Sequence, residues 1–132
     1  MKYFTIEELC RSDKARQMGI NNTPTEDIID SLSDLVENVL DPAREKIGKP
    51  VAVSSGYRCP ELNRAVGGVV TSQHVKGEAA DLTTGNRKEN KRLFQIIRDN
   101  LPFDQLIDEY DYSWVHVSYR RSGNRKQILK YI

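Results

Sequence analysis

Between residues 24 and 47, Ile28, Ile29, Leu32, Leu35, Val36, Val39 and Leu40 recur at three- and four-residue spacing. That period draws one apolar stripe along an α-helix. A stripe this long has to be covered, so the rest of the chain must supply a surface for it. Thr25 suits the N-cap, and Glu26 and Asp27 fall in the first turn, where acids oppose the helix dipole. Pro42 is expected to bend the helix, and Gly48-Lys49-Pro50 ends it.

The covering surface is expected to be a sheet. Residues 51–55 read as a short strand, with Gly56 allowing a sharp turn after it. Cys59-Pro60 opens a short helix that Gly67-Gly68 breaks, 69–78 is a loop, and 79–83 is a second strand. Residues 88–100 form a second amphipathic helix on Leu93, Phe94, Ile96 and Ile97, stopped by Pro102. Segments 105–110 and 114–119 alternate as a hairpin would, and Gly123-Asn124 turns into a last strand, 127–131. The first twenty residues read as a short helix and loop. No repeat, low-complexity run or linker interrupts the pattern. The expected fold class is α+β, a small, mainly antiparallel sheet flanked by helices, in one domain over 1–132. A chain of 132 residues buries about two-thirds of its unfolded surface, enough for one core.

Charge excludes little but is informative. Twenty basic and nineteen acidic side chains leave a net +1, so no nucleic-acid partner is expected. Arg120, Arg121, Arg125, Lys126 and Lys130 cluster near the C-terminus and read as a solvated hairpin rather than contacts to an anionic polymer. No run approaches the roughly 20 apolar residues of a membrane helix, so no membrane partner is expected. Glu7 and Glu8 fall where a signal peptide would be apolar, which suits a chain that starts in the cytoplasm. Cys10 and Cys59 form no CxxC pair; they are expected to be free thiols without a metal role.

The chain has only two histidines, His74 and His116. With Asp81 they make two imidazoles and one carboxylate, a zinc-type set that leaves a fourth position open. His74 and Asp81 lie too far apart in sequence for a one-turn helical pair. The spacing suits a loop that turns at Gly77 and re-enters a strand. On its own strand His116 shares a face with Trp114 and Ser118, while Val115, Val117 and Tyr119 face the other way.

Ser72, His74, Gly77, Ala79 and Asp81 match an S-x-H-x-x-G-x-A-x-D motif. In this the chain resembles the D-alanyl-D-alanine metallopeptidase family. That family includes phage L-alanyl-D-glutamate endolysins and vancomycin-resistance dipeptidases, and is related in fold to the Hedgehog signalling domain. Ser55-Gly56-Tyr57-Arg58-Cys59-Pro60-Glu61-Leu62-Asn63 and Val66-Gly67-Gly68 resemble the segment preceding the motif, and Trp114-Val115-His116-Val117-Ser118 resembles its third-ligand strand. The resemblance implies a Hedgehog/DD-peptidase-like fold with Zn2+ held by His74, Asp81 and His116. It implies that Arg58 holds the substrate's carboxylate or scissile carbonyl, and that Ser72 bonds the substrate or braces the metal loop.

One position departs from the family pattern. The catalytic acid often stands three residues before the last histidine, and here that residue is Ser113. Asp108, Glu109 and Asp111 are the nearest acids. Which of them shares a face with His116 depends on hairpin register; Glu109 is taken first and Asp111 second. The expected function is a zinc metallopeptidase hydrolysing peptidoglycan stem peptides, as a D-Ala-D-Ala carboxypeptidase or an endolysin-type endopeptidase. It would act at the cell wall as a monomer, and the N-terminus suits a phage or prophage product exported with outside help. The alternative is a non-catalytic module that binds wall peptides, which Ser113 favours and the complete ligand set opposes.

Overall fold

The computed structural model describes residues 1–132. Two short helices, α1 (Ile6–Cys10) and α2 (Asp13–Met18), replace the single helix expected at the N-terminus. The apolar stripe lies on one rod made of α3 (Glu26–Leu35), a π-helical turn (Val36–Leu40) and α4 (Asp41–Ile47). Thr25 caps α3, its hydroxyl accepting from the Ile28 N–H. Pro42 accounts for the π turn. It offers no N–H, and its ring would strike the carbonyl four residues back in a regular helix. The widened turn, in which the Asp41 N–H donates to the Val36 carbonyl, lets the rod continue past it. Leu32, Leu35, Val36, Val39 and Leu40 are fully buried along it, each stabilising the fold by about 1.5–3 kcal/mol.

The covering sheet has five strands: β1 (Ala52–Ser55), β2 (Ala79–Thr83), β3 (Gln105–Glu109), β4 (Trp114–Ser118) and β5 (Gln127–Tyr131). Its order is β1-β2-β4-β3-β5. The pairs β1–β2, β2–β4 and β3–β4 are antiparallel, and β3–β5 is parallel. Helix α5 (Pro60–Ala65) follows β1, and α6 (Arg87–Asn100) joins β2 to β3. Ala80, Leu82, Leu106, Val115 and Val117 share the main apolar core with the rod and with Leu93, Phe94 and Ile97 of α6. The helices thus occupy one face of the sheet, and alternate strand residues are left to line the other.

The parallel strand corrects one expectation. The C-terminal basic segment is exposed, as expected, but it is a crossover past the start of β3 rather than a hairpin. Asp104 holds it there. Its buried carboxylate accepts from the Arg125 backbone N–H, from Arg125 Nε and Nη2, and from Gln73 Nε2, at 2.8–3.0 Å. Burial alone would raise the Asp104 pKa, but the bonds from Arg125 and Gln73 outweigh it and hold the carboxyl below its ordinary value. Two more of the cluster are engaged: Lys126 Nζ donates to the Leu101 carbonyl, and Arg121 pairs with Asp34.

The β3–β4 turn is strained. Tyr110, Asp111 and Tyr112 have φ of 55°, 56° and 58°, each costing about 1–2 kcal/mol for an L-residue. Buried Asn90 of α6 offsets this by donating to the Tyr112 and Ser113 carbonyls, and the Asp108 carboxylate accepts from the Tyr112 N–H at 2.7 Å. No helix is long and apolar enough to cross a membrane.

Candidate metal centre and its cleft

The site is built on the face of the sheet away from the helices. Asp81 on β2 is paired directly with His116 on β4, which puts both side chains on that face. His74 comes from the 69–78 loop above them. Gly77, at φ 71°, lets this loop close against α3, where a side chain would meet Ile28. Nitrogen and oxygen ligand atoms of His74, Asp81 and His116 all lie within 4.8 Å of one another.

Each imidazole is oriented. His74 Nδ1 is 2.7 Å from the Gly56 carbonyl oxygen. A carbonyl only accepts, so Nδ1 carries the proton and Nε2 presents its lone pair to the site. That Nε2 is 3.5 Å from Asp81 Oδ2, and His116 Nδ1 is 2.9 Å from Asp81 Oδ1. These separations bracket the about 3.3 Å that two ligands about 2.0–2.1 Å from a tetrahedral zinc would show. The donor set therefore fits a small divalent metal. Burial opposes ionisation of Asp81, but the adjoining His116 and His74 imidazoles outweigh it and hold the carboxyl well below the usual carboxylate range. Asp81 is thus an anion, as a ligand must be.

Gly56 has a different job from the sharp turn expected of it. Its φ is not positive. A side chain there would overlap the Leu9 carbonyl oxygen, to which the next residue, Tyr57, donates its N–H at 2.8 Å. Glycine lets β1 approach α1 closely, and that approach aims the Gly56 carbonyl at His74. The sequence held the residue but not this reason for it.

A cleft of about 650 Å³ surrounds the three ligands. Arg58 and Ser72 lie on one side. Arg58 Nη2 is 3.5 Å from Ser72 Oγ, which accepts from the His74 N–H at 3.2 Å. Arg58 Nε is buried without a partner. Burial works against its charge and lowers its pKa, while Asp81 and Glu109 favour the charged form. Arg58 is thus a desolvated cation held for something other than a protein carboxylate.

On the other side stands Glu109. The observed pairings are Ile107 with His116 and Glu109 with Trp114, so Glu109 shares the cleft face with His116. Trp114 Nε1 donates to Glu109 Oε2 at 3.1 Å, a positioning contact that the sequence reading missed. Burial first, then the Asp81 charge, raises the Glu109 pKa above its ordinary value. Asp108 points to the opposite face and is buried, and Asp111 is exposed in the strained turn. Neither lines the cleft. Ser113 donates its hydroxyl to the Tyr110 carbonyl and accepts from Arg87.

Fold and site together define a class: an α+β protein with two histidines and a carboxylate, a donor set that fits a metal, gathered in an accessible cleft. The chain belongs to the Peptidase M15 family, of D-Ala-D-Ala metallopeptidase type, whose model matches residues 2–118. It is therefore a peptidase. The matched stretch runs from before α1 to the end of β4, leaving β5 outside it. No curated protein matches the chain.

Proposed function

We propose that this protein is a zinc-dependent metallopeptidase that hydrolyses peptide bonds in peptidoglycan stem peptides. The carrying observation is the convergence of His74, Asp81 and His116 within 4.8 Å, in a cleft that also presents Glu109 and Arg58. Zinc bound there supplies Lewis acidity to the scissile carbonyl and to the attacking water. The Glu109 carboxylate takes the water's proton during attack and passes it to the leaving amine. Arg58 holds the carbonyl oxygen or a substrate carboxylate as charge develops, and Ser72 keeps Arg58 and the His74 loop in register.

The same reading takes the architecture as the Hedgehog/DD-peptidase type, in one domain that works as a monomer at the cell wall. A non-catalytic wall-peptide binder drew its support from Ser113. Glu109 on the metal face offers the carboxylate that Ser113 lacks, which favours the enzyme. The test is incubation of zinc-loaded protein with purified peptidoglycan, with and without chelator, and identification of new termini by mass spectrometry. Chelator-sensitive new amines are expected. His74→Ala and His116→Ala should lose both zinc and activity, and full zinc content in both variants would overturn the site.

A further inference from the structure

The trough that holds the metal ligands does not end at Arg58. Beyond it lies a second groove of about 670 Å³, and Arg58 and Val66 line both spaces. One wall of this groove is β1, all four of whose residues line it, and the other is the α1–α2 connection. β1 is an outermost strand bonded only to β2. No backbone group of Ala52–Ser55 bonds to main chain outside that pairing. A free sheet edge is a row of unsatisfied N–H and C=O groups that an extended peptide can pair with. Four strand residues span roughly 13 Å, the reach of a three- to four-residue peptide. In the other direction the metal cleft runs across β3 to Tyr131 on β5. The ligand strands β2 and β4 are interior to the sheet, so there is room for substrate on both sides of the metal ligands.

From this we infer that the enzyme is an endopeptidase whose substrate continues past Arg58 as an added strand on the free edge of β1. The inference rests on the peptidase reading above and narrows its substrate to an internal bond of a longer peptide. Water's oxygen ends on the acyl carbon, the C–N bond breaks, and the proton taken by Glu109 leaves on the amine. Both products are then peptides of at least two residues. Room on both sides of the metal ligands suits an internal bond, whereas removal of one terminal residue needs length on one side only.

The experiment compares three probes on the zinc-loaded protein: the dipeptide D-Ala-D-Ala, a free stem pentapeptide, and crosslinked muropeptides. Internal cleavage of the longer probes is expected, with the dipeptide cut far more slowly. Ala52→Trp fills the groove from an exposed position on β1. It should keep zinc and kcat while raising KM for the longer probes about tenfold, the size of losing one or two backbone hydrogen bonds. N-methylating alternate peptide bonds of the substrate away from the scissile bond tests the same pairing without altering the protein. Alternate methyl groups should raise KM and their neighbours should not. Release of single terminal D-Ala residues only, dipeptide turnover equal to that of the long probes, or KM indifferent to both Ala52→Trp and N-methylation would overturn the inference while leaving a peptidase. Absence of hydrolysis from every probe would instead remove the peptidase reading on which it stands.

Discussion

The Gly56 carbonyl and the His74 imidazole are joined by a 2.7 Å hydrogen bond, and the close approach of β1 to α1 sets that bond. A packing contact between two elements that carry neither histidine thereby decides which nitrogen of His74 faces Asp81 and the cleft. Gly56→Ala should therefore do two things. The added methyl overlaps the Leu9 carbonyl, so stability should fall by about 1–3 kcal/mol, the usual cost of overpacking. Displacing the carbonyl should also weaken zinc about 10–100-fold, the usual loss when an outer partner of a ligating histidine is removed. Thermal unfolding of the metal-free protein and zinc competition with a chromophoric chelator separate the two. Weakened stability with unchanged zinc affinity would show that the bond does not orient His74.

The three acids of the β3–β4 hairpin should separate cleanly. Glu109→Gln keeps the Trp114 contact but removes the proton acceptor, and should cut kcat by about 10²–10⁴-fold with zinc retained. Asp111→Asn changes an exposed residue at φ 56°, a conformation asparagine tolerates, and should leave activity and stability nearly unchanged. Asp108→Asn alters the buried acceptor of the Tyr112 N–H. It should cost about 1–2 kcal/mol of stability with turnover per folded molecule preserved. Loss of turnover in Asp111→Asn alone would move the base into the turn.

What the sequence displayed and what it hid differ in physical kind. The rod over α3 and α4 was legible because seven apolar residues repeat at the helical period, and the hairpin because 105–110 and 114–119 alternate. Such signals are local. The face of Glu109 was hidden because it depends on a turn of three consecutive left-handed residues, none of them glycine. That turn is held by Asn90, about twenty residues upstream. The parallel pairing of β5 was hidden likewise, since an ion pair between Asp104 and Arg125 routes the crossover. His74, Asp81 and His116 could be named from residue type and spacing. The bond that orients His74 could not, because it comes from a backbone carbonyl, which every residue has.

Arg58 tests whether a desolvated cation is kept for substrate. It has no carboxylate partner, its Nε is unbonded, and burial opposes its charge. Removing it should therefore not harm the fold. Arg58→Ala should melt at or slightly above the wild-type temperature with full zinc content, while kcat/KM falls by about 10²-fold or more, as for loss of a group that binds developing charge. Arg58→Lys should recover only part of this, because an ammonium cannot offer two parallel donors. A large fall in melting temperature with turnover preserved would make Arg58 a structural residue.

The pH dependence of activity should carry the signature of Glu109. Burial and the Asp81 charge raise its pKa, so it must lose its proton at a higher pH than a free glutamate, about 4.3, before it can act as a base. In the zinc-loaded enzyme the metal's charge acts against this rise, so the acid limb of kcat/KM reports the balance of the two, with activity rising as pH rises through it. In Glu109→Gln the residual activity should lose this limb. Stability runs in the opposite sense. A carboxyl whose folded pKa is raised stabilises the fold fully below the unfolded value, and that contribution is lost as pH rises through the folded value. The stability of metal-free wild type relative to Glu109→Gln should therefore decline as pH climbs from about 4 through the raised pKa of Glu109. Denaturant unfolding of both proteins across that range measures it. A stability difference that grows with pH would mean that the Trp114 bond and the neighbouring histidines outweigh burial, so that Glu109 is an ordinary or depressed carboxylate.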